Sequence, residues 1–399
     1  MNLTRRALLQ AALIGGTQLL SRSASAAPPS FMGRRLVLVE LAGANDGLNT
    51  LVPWRDERYR ALRPTVALNE ADLHPFGAHG LGLHGSLRAL MPLLDRGEMT
   101  VVQGLGYPRP NRSHFASISL WDRGGDGERA GSAHGWLTHD IEHRLGRPVE
   151  HAHGISLDGP IGPLSSGSGR WLATPSVASL AAMKGRSDAA GGAGAGAMVS
   201  PDDPVARMGE RFARLDVTLD VLQRRLRRAP RLAPFGGGSL GKQLREVARF
   251  TLAGLDTPVY RVRLGGFDTH KDQLGRHARQ LKLLADGLRA FRDTLHEADE
   301  WRNTLVMTYS EFGRRAAQNE SGGTDHGSAA PHLVLGGALA TTDAPLGSAV
   351  DLSQLVDGDP LATMDYRALY ERVLSDWFDI PDNRFAAYRD PALDALLRA

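Results

Sequence analysis

Four times along this 399-residue chain, an apolar run of strand length leads into a short loop bearing an acid or a histidine. The loops are AGANDGLN with Asp46, GGFDTH with Asp268 and His270, YSEFGR with Glu311, and GTDHG with Asp325 and His326. An open α/β sheet gathers the carboxyl ends of its strands along one edge, where such folds bind ligands. Carboxylates and imidazoles collected there repel or stay unsatisfied unless a cation sits among them. The pattern therefore predicts a divalent metal site, and with it a hydrolase.

The rest of the chain supports that architecture. Leu36–Leu41 is a near-continuous apolar run, the mark of a strand buried on both faces. Further strands are expected at 99–103, 259–264, 304–309 and 332–335. Helices are expected at 86–96, at 113–123 with Ser113 as its cap, and at 361–378. Between Gln273 and Glu300, apolar residues at 274, 281, 284, 288, 291 and 295 predict one long amphipathic helix. Strands alternating with helices predict a mostly parallel sheet with helices on both faces. The Gly/Ala-rich stretch Gly185–Pro204 reads as a loop and the arginine-dense stretch 205–228 as a solvated helix. One large domain over 27–399, with an insertion at about 160–255, accounts for this order.

The N-terminus reads as an address. Thr4-Arg5-Arg6-Ala7-Leu8-Leu9-Gln10 is a twin-arginine export pattern, followed by an apolar stretch and the cleavage signal Ala24-Ser25-Ala26. The apolar stretch is too short for a stable membrane span. Removing residues 1–26 takes away Arg5, Arg6 and Arg22 and no acid, so the formal charge falls from +3 to 0. No basic excess remains to argue for nucleic acid. The chain has no cysteine, which excludes thiolate metal sites and cysteine nucleophiles. A metal must be held by oxygen and imidazole.

Each candidate also has a structural role open to it. Asn45-Asp46-Gly47 is common turn chemistry, and Asp268 could cap the helix that begins near Lys271. Arg314 is the obvious salt-bridge partner for Glu311, three residues away. In Pro108–Phe115 a loop enters a helix, so Ser113 could cap it or act as a nucleophile. There the helix N-terminus would favour an anion, and Arg112 or Arg109 could clamp it. His139 and His143, with Glu142, stand in the wrong order for a zincin helix, and His151 and His153 alternate on an expected strand. Both pairs read as structural.

The leader and the segments LVLVELAGANDGLNTLVP, NRSHFAS, GGFDTHKDQ, NTLVMTYSEFGR, GTDHG and MDYRALYERVLSDWF together resemble the exported bacterial family called domain of unknown function 1501. The resemblance covers essentially the whole mature chain. That family is similar, at a distance, to the alkaline phosphatase and sulfatase superfamily of two-metal hydrolases. The resemblance implies an alkaline-phosphatase-like α/β architecture. Glu311 takes the place of the acid in that superfamily's SDHG stretch and Phe312 the place of a metal-binding histidine. His326 corresponds to its last histidine and Asp46 to its first-strand aspartate. The Ser/Cys-x-Pro-x-Arg pattern is absent, so formylglycine chemistry is not expected.

The expected site therefore has Asp46, Asp268, His270, Glu311, Asp325 and His326 around one or two divalent ions, drawn from zinc, calcium, magnesium and manganese. Ser113, or water activated at the metal, would attack a phosphate or sulfate ester, with Arg112 as the anion clamp. The substrate would be a small-molecule or polysaccharide ester, and no nucleic acid is expected as a partner. The alternative is a non-catalytic envelope protein that binds a protein partner or a polysaccharide through a degenerate site.

Overall fold

A computed structural model describes residues 33–77, 80–138, 140–141, 152–165, 171–174, 220, 222–340 and 342–398. The leader, most of 175–221, and His139, Glu142, His143 and His151 lie outside the described residues. Eight strands form the main sheet. In chain order they are β1 (Arg35–Leu41), β2 (Met99–Gly106), β3 (Gly154–Ser156), β4 (Trp171–Ala173), β5 (Val259–Leu264), β6 (Thr304–Tyr309), β7 (Ala330–Gly336) and β8 (Met364–Asp365). Their spatial order is β8-β2-β7-β6-β1-β5-β3-β4. Only β7 runs against the others.

The near-continuous apolar run of β1 has its cause in two cores, and its one buried acid, Glu40, is paired with Arg261. Val37, Val39 and Leu41 enter one, and Leu36 and Leu38 enter the other. Successive strand side chains alternate between faces, so a strand covered on both sides is apolar except where a buried charge finds a partner. The first core is closed by helix α2 (Gly238–Leu252), through Leu240, Leu244 and Val247, and by α3 (Gln273–Glu297), through Leu281, Leu284, Leu288 and Phe291. The second is closed by α1 (His114–Arg123), through Trp121, and by α4 (Tyr366–Arg372), through Tyr366, Leu369 and Tyr370. Among the described residues, no helix is long and apolar enough to cross a membrane.

Most expected elements are present, with differences that have local causes. The C-terminal helix starts at Tyr366, not 361, because Met364–Asp365 pairs with β2 and the Asp365 carboxylate then caps the helix at Arg367. It continues beyond Arg372 as a π-helical turn over Val373–Trp377. The expected helix at 86–96 is 3-10 over Gly85–Leu90 and α only over Met91–Asp95. His153 precedes β3 and does not alternate on a strand.

This topology places the site. β1 lies between β5 and β6, all three parallel, so the loops after Leu41, Leu264 and Tyr309 leave the same sheet edge side by side. A hairpin, Arg314–Gln318 paired with Thr324–His326, then turns the chain back. It delivers β7 antiparallel between β6 and β2, with no crossover helix needed.

Candidate metal centre

Three loops meet on one guanidinium. Arg314 is fully buried, and its Nε donates to Ala44 O at 2.8 Å. Its Nη1 donates to Thr324 O at 2.7 Å, and its Nη2 to Gly43 O at 2.5 Å and Phe267 O at 3.1 Å. Nη2 also donates to Asp268 Oδ1 at 2.6 Å. The loop after β1, the loop after β5 and the hairpin are thereby held to one another. Close approach is needed as well: Gly43 has φ 112°, and a Cβ there would collide with the Asp268 backbone nitrogen.

Against this staple, acceptor atoms converge. His270 Nε2 and His326 Nε2 are 3.0 Å apart, and Asp268 Oδ1 is 3.0 Å from the first and 3.3 Å from the second. The remote ring nitrogens identify the tautomers. His326 Nδ1–H donates to the Arg112 carbonyl at 2.9 Å, and His270 Nδ1–H donates to Asp325 Oδ1 at 3.0 Å. A carbonyl and a carboxylate can only accept, so in the neutral rings both Nε2 atoms carry lone pairs facing inward. His114 stands beside them, its Nε2 3.8 Å from Asp268 Oδ2 and its Nδ1–H donating to Glu311 Oε1 at 2.6 Å. One ligand atom from each of His114, Asp268 and His326 lies within 4.8 Å of the others.

Two imidazole lone pairs and a carboxylate oxygen repel at such separations unless a cation is shared among them. Arg314 reaches Asp268 Oδ1 at 2.6 Å and His270 Nε2 at 3.5 Å, and a divalent ion would serve all three atoms together. Edges of 3.0–3.3 Å match the ~3.3 Å edge of a tetrahedron whose metal–ligand bonds are about 2.0–2.1 Å. The residues present fit a divalent ion. Around them Asp268 pairs with Arg314, while Glu311 and Asp325 each accept from an imidazole, with Arg315 also acting on Asp325. The side chains of Asp268 and His270 are 49% and 43% exposed, so the cluster opens to solvent on one side.

The protonation equilibria keep all three carboxylates of the cluster ionised. Burial alone would raise Asp268, but the Arg314 hydrogen bond and charge, with His326 and His270, hold its carboxyl below the usual range. Glu311 likewise stays low against its burial, through His114 and the Gly43 N–H. Hydrogen bonds from His270 and Asn319 lower Asp325. Burial, with the nearby Arg314, lowers His326 and favours the neutral ring. His114 is raised by its Glu311 hydrogen bond.

Several expectations need correction. Asp46 does not join the cluster. It is fully buried and ion-paired with Arg63 at 2.7 Å, accepts from Gln273, and caps the turn at Leu48 N. Burial would raise its carboxyl, but Arg63 holds it low. Arg314 pairs with Asp268 and not with Glu311, because the chain turns after β6 and Arg314 already opens the hairpin strand. Glu311 and Asp325 stand behind His114 and His270 respectively, as their hydrogen-bond acceptors. The Arg112 guanidinium is committed to Asp359, so its carbonyl, and not its charge, serves the cluster. Asp268 caps no helix, since Asp272 precedes α3. Ser113 is exposed at the start of α1, its hydroxyl makes no capping bond, and its N–H donates to Asn111 Oδ1.

Sequence reasoning passed over His114. It opens α1 next to Ser113, at the end of the loop that follows β2, so the rule that singled out the other loops applied to it too. Phe312 is buried against both the His114 and His326 rings, at 5.0 and 4.8 Å, and forms a dry wall to the cluster.

Residues 239–374 match the family described as "Protein of unknown function (DUF1501)". This span includes Asp268, His270, Glu311, Arg314, Asp325 and His326 but not His114. No curated protein matches the sequence. Solved structures that align with the chain include the lipoteichoic acid synthase LtaP from Listeria monocytogenes, at 10% identity over 84% of this chain and 77% of that one, with a TM-score of 0.33. The C-terminal periplasmic domain of EcEptC from Escherichia coli aligns at 11% identity over 91% and 86%, TM-score 0.39. The alkaline phosphatase of the Antarctic bacterium TAB5 aligns at 10% identity over 76% and 92%, TM-score 0.29.

Proposed function

We propose that this protein is an exported, metal-dependent hydrolase of phosphate or sulfate esters. The observation that carries the reading is the convergence of His270 Nε2, His326 Nε2 and Asp268 Oδ1, with both imidazole tautomers fixed from behind. Asp268, His270 and His326 would hold the ion, with His114 at its open side. A set rich in imidazole suits zinc better than calcium or magnesium. When bound, the ion would polarise an ester oxygen and supply a nucleophile at neutral pH by acidifying water.

The protein's own groups supply orientation. Asp325, the Arg112 carbonyl and Glu311 each hold one imidazole by its remote N–H, which sets ring angle and ligand basicity. Arg314 keeps the Asp268 carboxylate ionised and aimed. At the N-terminus of α1, Ser113 stands beside His114, where helix N–H groups favour the anionic end of an ester. Its hydroxyl is the candidate nucleophile of the chain itself. Export rests on the twin-arginine leader and its cleavage signal.

The test is metal analysis of the purified mature protein, followed by a panel of phosphate and sulfate esters with and without added zinc. The reading expects metal-dependent turnover that is lost in Asp268→Asn and His326→Ala. Turnover that survives both substitutions, or survives complete chelation, would refute it.

A further inference from the structure

Beside the metal cluster lies a cleft of about 880 Å³, walled by residues 106–112 on one side and 356–365 on the other. Such a volume holds a ligand of several tens of atoms. Both walls lead into the cluster. Arg112 precedes His114 by two residues, and its carbonyl accepts the His326 N–H. Ser328 follows His326 by two residues, and its hydroxyl donates to Pro360 O in the opposite wall. An ester centred on the cluster would extend its remaining atoms into this cleft.

The lining selects what those atoms can be. Its two guanidiniums are committed: Arg112 to Asp359 at 2.5 Å and Arg109 to Glu128 at 2.5 Å. Among the described lining residues a second anionic group would therefore meet no uncommitted cation, and it would face Asp357, Asp365 being paired with Arg367. Val356 and Leu361 also line the cleft, 54% and 45% exposed, and an apolar ligand face would remove them from water. A wholly apolar chain would in turn desolvate Asn111, Asp357 and two ion pairs without replacing their hydrogen bonds. An uncharged sugar ring meets both demands, with C–H faces for Val356 and Leu361 and hydroxyls for Asn111 and Asp357.

We infer that this cleft receives the uncharged sugar residue that carries the ester group. The inference rests on the hydrolase reading for its reaction but not for its binding. Its first test is kcat/KM of the mature, zinc-loaded protein for glucose 6-phosphate and glucose 6-sulfate, against glucose 1,6-bisphosphate and dioctanoyl phosphatidate. The sugar monoester should lead both comparators by about tenfold or more. Leu361→Arg, which adds an uncommitted cation at an exposed position, should narrow the gap to the bisphosphate while metal content stays unchanged. Equal rates, or a preference for the bisphosphate or the lipid, would overturn the inference.

If no ester turns over, the hydrolase reading fails and binding decides alone. Lactose and glucose 1,6-bisphosphate would then be titrated into the same protein by NMR. Saturable lactose binding that is weakened in Leu361→Arg upholds the cleft assignment, and absence of lactose binding overturns it.

Discussion

His270 Nε2 and His326 Nε2 lie 3.0 Å apart, although 56 residues separate them in the chain. One closes the loop after β5 and the other ends a hairpin strand after β6, so only the folded sheet edge brings them together. Each ring is pinned by an acceptor on its far nitrogen. That pinning suits the pair to the ligand role proposed for it, and it yields specific expectations.

Asp325→Asn should weaken zinc binding about 10- to 100-fold while leaving the fold intact. The Asp325 side chain is 51% exposed and reaches the cluster only through His270 Nδ1 and Asn319. Competition with a fluorescent chelator measures the loss. Unchanged affinity would show that His270 is not held in the ligand tautomer.

Arg314→Met should destabilise the protein by about 3–5 kcal/mol, because it strips the partner from four loop carbonyls and from Asp268. Arg314→Lys should recover part of that loss, keeping the charge but not the fork. Urea unfolding midpoints give the order wild type, Lys, Met. Equal midpoints would contradict the role of Arg314 as the staple of three loops.

Much of this arrangement was legible beforehand. β6 occupies the expected residues because it is buried on both faces and almost wholly apolar, and β5 does so although Arg261 and Arg263 interrupt its apolar residues, because both guanidiniums meet Glu40 on β1. The loops after β1, β5 and β6 reach one edge because parallel strands require it. What stayed hidden were choices between partners. Asp46 looked like a ligand, yet Arg63, 17 residues away, folds back to meet it in the core. Arg314 sat three residues from Glu311 in sequence, but the turn after β6 carries it to Asp268 instead. Such choices depend on where loops double back, and neither periodicity nor spacing encodes that.

Ser113→Ala separates a nucleophile from a bystander. Since the hydroxyl caps nothing, stability should change by less than about 0.5 kcal/mol. Ester turnover should be lost while metal content is retained. Thermal melts and single-turnover assays on this variant measure both, and retained turnover would move the attack to water.

Acid should destabilise the protein partly through His332. Burial lowers this imidazole from 6.5 to about 3 in the folded state. Below pH 6.5 the unfolded chain takes up a proton that the folded chain refuses. Stability from this residue is therefore complete above pH 6.5 and declines as pH falls from there toward about 3. His332→Leu should flatten the pH dependence by about 1.4 kcal/mol per pH unit across pH 6 to 4. Urea midpoints at successive pH values check it, and an identical slope in the variant would contradict it.

Export is open to a separate check. Arg5→Lys with Arg6→Lys keeps the charge but alters the address, so the precursor should remain in the cytoplasm. Cell fractionation decides the matter, and normal periplasmic accumulation would remove the twin-arginine assignment.

The most direct test of the metal centre is zinc stoichiometry, measured by calorimetric titration of the mature protein beside the double variant His270→Ala/His326→Ala. Wild type should bind at least one zinc ion per chain, and the double variant should lose that ion while retaining a native melt. No zinc bound by the wild type, or the same ion bound equally by both proteins, would contradict the convergence of these two imidazoles as the site of metal binding.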